Sequence, residues 1–315
     1  MIICISANPA IDRRVRVKKL VRGEVIRAVS AETFAGGKAA HVAMAVSALG
    51  EEVVWLGFVG GAAGDQLEKQ LRELNIHVVS VRTKASTRTN DEIIDEDGRV
   101  TEILEPGGPV TSDEVRQLNA AIRMQLSETS GGCQVVLSGS LPTGMPKEFY
   151  SEIVLMTQKV GGNVILDTSG EALMISLRSC PELIKPNREE AEKAVGFQIR
   201  DDAAAISAAA EMRLLGAREV AISLGAEGIV WSNGETALVA KPPKVEVIST
   251  VGCGDATVAG FVVGARRNLD QEERIRLAAA CGAANCTARL PGQITDDEVE
   301  RLLPLVAVER ISIER

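Results

Sequence analysis

The sequence predicts an α/β fold, a mainly parallel sheet covered by helices on both faces, with a small second β-sheet projecting from the core. Three observations predict it. Short apolar runs alternate with helical stretches along most of the 315 residues, as in strand-helix-strand units. Two segments break that rhythm with alternating apolar and polar residues. The composition, 45% hydrophobic and 25% charged, allows a sizeable core and shows no low-complexity tract.

Taken in order, the opening MIICISANPA carries neither a basic leader nor an apolar stretch of export-signal length and reads as a short buried strand. Further strands are predicted at 53–59 (VVWLGFV), 133–139 (CQVVLSG), 163–167 (NVILD) and 220–225 (VAISLG). Helices are predicted at about 37–49, 63–74, 111–127, 145–159, 201–215, 254–267 and 270–287. The interrupting segments, 11–33 and 87–105, read as antiparallel strands with one solvated face, because turns such as Asp95-Glu-Asp-Gly98 divide them. With no helix to cover them they form a projecting sheet, suited to a lid or a dimer interface.

Several function classes are disfavoured at once. Six cysteines without a CxxC pair and only two histidines, His41 and His77, offer no zinc-site spacing. A formal net charge of −8 argues against wholesale nucleic-acid binding. No run reaches the roughly 18 apolar residues of a membrane span. A soluble cytoplasmic protein acting on a small molecule is expected.

The sharpest chemical signal is Ser249-Thr-Val-Gly-Cys-Gly-Asp255-Ala-Thr-Val-Ala-Gly260, a glycine-rich turn leading into a small-residue helix. Amides of Gly252, Cys253, Gly254 and Asp255 can converge on a phosphate there, aided by the helix dipole. A carboxylate beside a transferring phosphoryl group can take the proton of the attacking hydroxyl, which makes Asp255 the candidate base. Asp255 alone would read as a helix cap; the other segments tip the balance. Gly36-Gly37-Lys38 opens a second helix, where glycine permits close approach and lysine adds a point charge. After the apolar pair Leu183-Ile184 comes Lys185-Pro-Asn187-Arg-Glu-Glu190. Asn187 and Glu190, three apart, share a helical face suited to Mg²⁺ that keeps most of its waters; the alternative is a capped helix start.

Together these segments resemble the ribokinase-like carbohydrate kinases of the phosphofructokinase B family over nearly the whole chain. Asn8-Pro-Ala-Ile-Asp12, Ser138-Gly-Ser-Leu-Pro142, Asp167-Thr-Ser-Gly170 and Ser223-Leu-Gly225 match in order as well. Within the family the motifs are most similar to the sugar-phosphate branch, which acts on fructose 6-phosphate, fructose 1-phosphate or tagatose 6-phosphate. The resemblance implies one kinase domain, 1–315, with a three-layer α/β/α core, the small sheet as lid, and a homodimer through that lid. It implies ATP and Mg²⁺, with γ-phosphate transfer to a sugar hydroxyl. It places Asp12, Gly36, Gly37, Lys38, His41, Arg88 and Ser138 at the sugar phosphate, and Lys185, Asn187, Ser223, Gly225, Gly228, Gly252 and Gly254 at the nucleotide. Arg88 suits a phosphate by its bidentate fork.

Two departures from the family pattern bear on substrate and cation. A family asparagine is His41, which can bond a sugar hydroxyl when neutral or assist a phosphate when protonated. Ser249 stands where some members carry an aspartate, so no monovalent-cation site is expected. Two rivals remain: a kinase of an unphosphorylated sugar, inositol or nucleoside, for which Phe34 is the obvious stacking residue, and a non-catalytic sugar-phosphate sensor.

Overall fold

A computed structural model describes residues 1–129 and 132–312; residues 130, 131 and 313–315 of the expected 1–315 domain lie outside the described residues. In chain order the elements are β1 (Ile2–Ser6), β2 (Ala10–Arg16), β3 (Ser30–Gly36), α1 (Lys38–Ala48), β4 (Val53–Val59), α2 (Gly61–Glu73), β5 (His77–Arg82), β6 (Arg88–Ile94) and β7 (Val100–Leu104). Then come α3 (Ser112–Ser127), β8 (Gln134–Ser138), α4 (Phe149–Lys159), β9 (Asn163–Asp167), α5 (Gly170–Leu177), β10 (Leu183–Ile184), α6 (Arg188–Val195), α7 (Asp202–Leu214) and β11 (Glu219–Ser223). The chain closes with β12 (Ile229–Ser232), β13 (Thr236–Lys241), α8 (Cys253–Arg266), α9 (Gln271–Thr287), α10 (Asp296–Leu302) and β14 (Ala307–Ser312).

Ten strands form one sheet in the order β14-β13-β12-β11-β10-β9-β8-β1-β4-β5. From β11 to β5 the pairs are parallel, and β12, β13 and β14 add an antiparallel edge. Alternate side chains serve two cores. Ile2 and Cys4 pack with α1, α8 and α9, while Ile3 and Ile5 pack with α3, α4 and α7. Every residue of β1 and β4 is buried, as expected where helices cover both faces.

The second sheet has the order β3-β2-β6-β7. Its two hairpins are antiparallel, as the alternation predicts, but they meet through a parallel pair, β2 with β6. The expectation of a wholly antiparallel lid is corrected there: strands from hairpins distant in sequence dock side by side, and no turn constrains their direction. The register sets Ala10, Asp12 and Arg14 beside Arg88, Asn90 and Glu92. The period of two puts each of these triplets on one face.

The sequence reading missed α5, α10, β5 and the β12-β13-β14 edge, and of α6 it read only the start at Asn187. One signal was available. Asn233-Gly234 joins β12 to β13, Gly234 lies at φ 87°, and Asn233 Oδ1 accepts from the amides of Glu235 and Thr236, the chemistry of a tight hairpin turn.

Candidate active site

The ends of the parallel strands build the floor of one cleft of about 1240 Å³. Ser6 ends β1, Ser138 ends β8, Asp167 ends β9, Ser223 ends β11 and Lys185 follows β10; all line it. From β1 the chain leads outward to β4 on one side and later returns to β8 on the other, so the cleft lies at the switch point where open α/β sheets hold ligands. Asp12, Arg88, Asn90 and Leu104 of the small sheet face it from above.

Two groups of buried charges meet there. In the first, the His41 ring lies between two carboxylates. Its Nδ1 is 2.9 Å from Asp255 Oδ2 in a hydrogen bond, and its Nε2 is 3.0 Å from Asp12 Oδ2. The second contact is off the N–H direction. His41, Asp12 and Asp255 are 3%, 7% and 6% exposed. Burial by itself would neutralise the ring, but the two carboxylates outweigh it and lift the imidazole pKa to about 10, so the bridge is an imidazolium at neutral pH. Burial likewise pushes the Asp12 carboxyl up, and the His41 ring, Asn90 and the Gly37 amide overcome it and hold it below its ordinary value. Asn90 Nδ2 donates to Asp12 Oδ1 at 3.0 Å.

The second group centres on Asp167, 1% exposed. Lys38 Nζ lies 3.3 Å and Lys185 Nζ 3.6 Å from its Oδ1, and Ser138 Oγ donates to its Oδ2 at 3.2 Å. Burial opposes ionisation of Asp167, but the two ammonium groups win and hold its carboxyl below the usual range. Carboxylate charge, chiefly from Asp167, keeps Lys38 protonated against burial. Two cations around one anion give this group a net positive charge, which favours a phosphate beside it.

The turn before α8 completes the site. Gly252 caps the helix at φ 79°, a left-handed conformation that favours glycine, and a Cβ there would meet Pro291 Cβ at 2.8 Å. Among the described residues the amides of Gly252, Gly254 and Asp255 have no protein partner, whereas Cys253 N donates to Thr250 O at 3.3 Å. Free first-turn amides at the positive end of a helix bind anions. A Cβ on Gly254 would lie 3.3 Å from Lys185 Nζ, so the amides and the lysine face one spot. α8 is steadied by α9, whose buried Asn285 donates to Val251 O at 2.8 Å and accepts from Gly292 N at 2.8 Å.

Residues 1–297 match the pfkB family carbohydrate kinase profile. The chain belongs to the pfkB family of carbohydrate kinases. This kinase is 32% identical over 311 residues to the 1-phosphofructokinase of Bacillus subtilis, covering 99% of this chain and 100% of that one. It is 30% identical to the tagatose-6-phosphate kinase of Staphylococcus epidermidis, covering 98% and 99%. Its fold superposes on Escherichia coli phosphofructokinase-2 in complex with fructose-6-phosphate with a TM-score of 0.88, at 30% identity and coverage of 96% and 98%.

In this kinase Asp12, Gly37, Lys38, His41, Arg88 and Ser138 line the cleft together with Lys185, Asn187, Ser223, Gly225, Gly228 and the 252–255 turn. Gly36 does not. A Cβ on it would fall 2.2 Å from Asp12 Cγ, so it makes room for that carboxylate. Both His41 nitrogens face carboxylates, so its reach to substrate runs through Asp12 and Asp255. Arg88 donates to the carbonyls of Glu105 at 2.6 Å and Asn8 at 3.1 Å, leaving Nε without a protein partner among the described residues. Asn187 and Glu190 form a reciprocal capping box at the start of α6, which engages Asn187 Oδ1 and Glu190 Oε2 and leaves Glu190 Oε1 outside it. Sequence reasoning quoted Asn8 and Asp167 within matching motifs without giving either a role, and it missed Asn90. Asn90 follows Arg88 by two along a strand, and that spacing could have found it.

Proposed function

We propose that this kinase transfers the γ-phosphate of ATP to a free hydroxyl of a phosphorylated hexose, with fructose 6-phosphate, fructose 1-phosphate and tagatose 6-phosphate as the candidate acceptors. The observation that carries this reading is one carboxylate, Asp255, in the first turn of a helix whose free amides face the same spot as Lys185. The names of these two relatives, both kinases of phosphorylated sugars, support the acceptor class.

In the proposed mechanism the acceptor sits under the small sheet, its hydroxyls held by Asp12 and Asn90 and its phosphate attracted by Lys38 and Arg88. The nucleotide lies along Lys185, Asn187, Ser223, Gly225 and Gly228. Asp255 takes the hydroxyl proton on Oδ1, because Oδ2 is held by His41. The amides at 252–255 and Lys185 stabilise charge on the transferring oxygens, the effect that usually dominates such catalysis. Mg²⁺ arriving with ATP would offset phosphate charge and be held through water by Glu190 beside Asn187. Among the described residues no three His, Cys, Asp or Glu side chains converge as metal ligands, and so sparse a donor set suits an ion that keeps its waters. Residues 1–315 act as one kinase domain in this reading, with the small sheet as lid and as dimer surface.

A nucleoside acceptor is disfavoured by Phe34, which is buried beneath the Arg14 guanidinium, 5.7 Å from its ring centroid, and does not line the cleft. The test is ADP release with MgATP against the three hexose phosphates, fructose, ribose, inositol and adenosine. Turnover confined to a phosphorylated hexose is expected. Turnover of only an unphosphorylated acceptor overturns the phosphate pocket, and silence across the panel with ligands still bound favours a sensor.

A further inference from the structure

Two cysteines meet at the anion-binding turn. Cys253 is the first residue of α8 and Cys286 lies in the last turn of α9, 33 positions later, yet their Sγ atoms are 3.0 Å apart. Both are partly exposed and line the cleft, so a small solute can reach them. The other four do not meet these conditions: Cys4, Cys133 and Cys281 are buried, and Cys180 is exposed but outside the cleft. The backbone around the pair is tied down. The Cys286 carbonyl accepts from the amides of Ile248 at 2.8 Å and Ser249 at 3.4 Å, and Asn285 Nδ2 donates to Val251 O at 2.8 Å and approaches Cys253 Sγ at 3.4 Å.

We propose that Cys253 and Cys286 form a reversible disulfide, a modification site at which a hydroperoxide switches the kinase off. One of the two cysteines, as its thiolate, attacks the hydroperoxide ROOH, breaking the O–O bond; the displaced alkoxide takes a proton to leave as ROH, and that cysteine becomes a sulfenic acid. The thiol of the other, 3.0 Å away, then attacks that sulfur, forming the S–S bond and releasing water. Two thiols are oxidised by two electrons and one peroxide bond is reduced.

Closing the bond draws the sulfurs from 3.0 Å to about 2.05 Å. The displacement falls on the first residue of α8, between Gly252 and Gly254, whose amides face the transferring phosphate. Shifts of this size in a positioned group cost about tenfold to a hundredfold in rate.

The consequence for activity rests on the proposed kinase reaction, but the disulfide itself is read by mass, so the two can fail separately. The full-length protein is treated with hydrogen peroxide, its thiols are blocked, and its peptides are mapped without reduction. A Cys253–Cys286 disulfide is expected, with turnover lower by about tenfold or more, recovery in dithiothreitol, and no loss in Cys286→Ser. The proposal is overturned if both thiols stay free while Cys180 reacts, or if the disulfide forms and turnover is unchanged. Should Cys286→Ser fold poorly, mapping and turnover of the unmodified chain before and after dithiothreitol still decide.

Discussion

His41 occupies a position where an imidazolium is worth more than a neutral amide. Asp12 and Asp255 are both buried, and two carboxylates sharing one site repel unless a cation stands between them. The ring supplies that cation and fixes one oxygen of Asp255, leaving the other to work. Because its pKa is raised from 6.5 to about 10, the stabilisation it provides is complete below pH 6.5 and is lost as the pH rises toward 10. Melting curves of the parent chain and His41→Gln should therefore differ by a constant amount in mildly acid solution, where the Asp12 carboxylate is still ionised, and the gap should close between pH 6.5 and 10. A gap that widens with alkalinity would contradict the assignment. His41 was legible in the sequence as a departure from a family pattern. Its partners were not, since Asp255 is 214 positions away and only the fold brings them together.

At the scale of elements, α8 and α9 carry the site. They cross so closely that a Cβ on Gly260 would meet Ala278 Cα at 2.5 Å and one on Gly264 would meet Arg274 Cγ at 2.9 Å. Overpacking of a filled core costs about 1–3 kcal/mol. Gly260→Ala should lower the melting temperature by several degrees and also reduce turnover, because α8 carries Asp255 in its first turn. A variant with the parent's stability and rate would show that the small-residue crossing is slack. The long helices and the buried parallel strands were readable because their periods persist over many residues. The eight-residue helix α5 and the four-residue β12 were not, because a single turn or a few alternations cannot be told from a loop by pattern alone. The Asn187-Glu190 pair illustrates the point: its spacing of three suits both a capping box and a metal face, and the hydrogen bonds show the box.

Across the whole molecule, a buried network around Arg14 and Glu92 helps to bind the small sheet to the core. Arg14 of β2 and Glu92 of β6 form a two-point ion pair, with 2.7 Å from Nε to Oε2; Glu92 Oε1 accepts from Ser249 Oγ at 2.9 Å, and Arg14 also reaches the Arg289 carbonyl. The small sheet and the turn before α8 are therefore linked, which neither segment revealed alone. Ile103 on the edge strand β7 is 55% exposed, and Val25 and Val29 in the β2–β3 connection are 94% and 64% exposed, apolar side chains of the kind the proposed dimer would cover. Sedimentation should give a dimer that Ile103→Asp weakens; a monomer at all concentrations would remove the lid interface from the account. The central claim is that Asp255 accepts the proton during phosphoryl transfer, and the direct measurement is steady-state turnover of Asp255→Asn beside its affinity for MgATP by calorimetry. Turnover lower by about 10²-fold or more with nucleotide affinity within a few fold of the parent is the result expected; turnover near the parent's with that same affinity would contradict it.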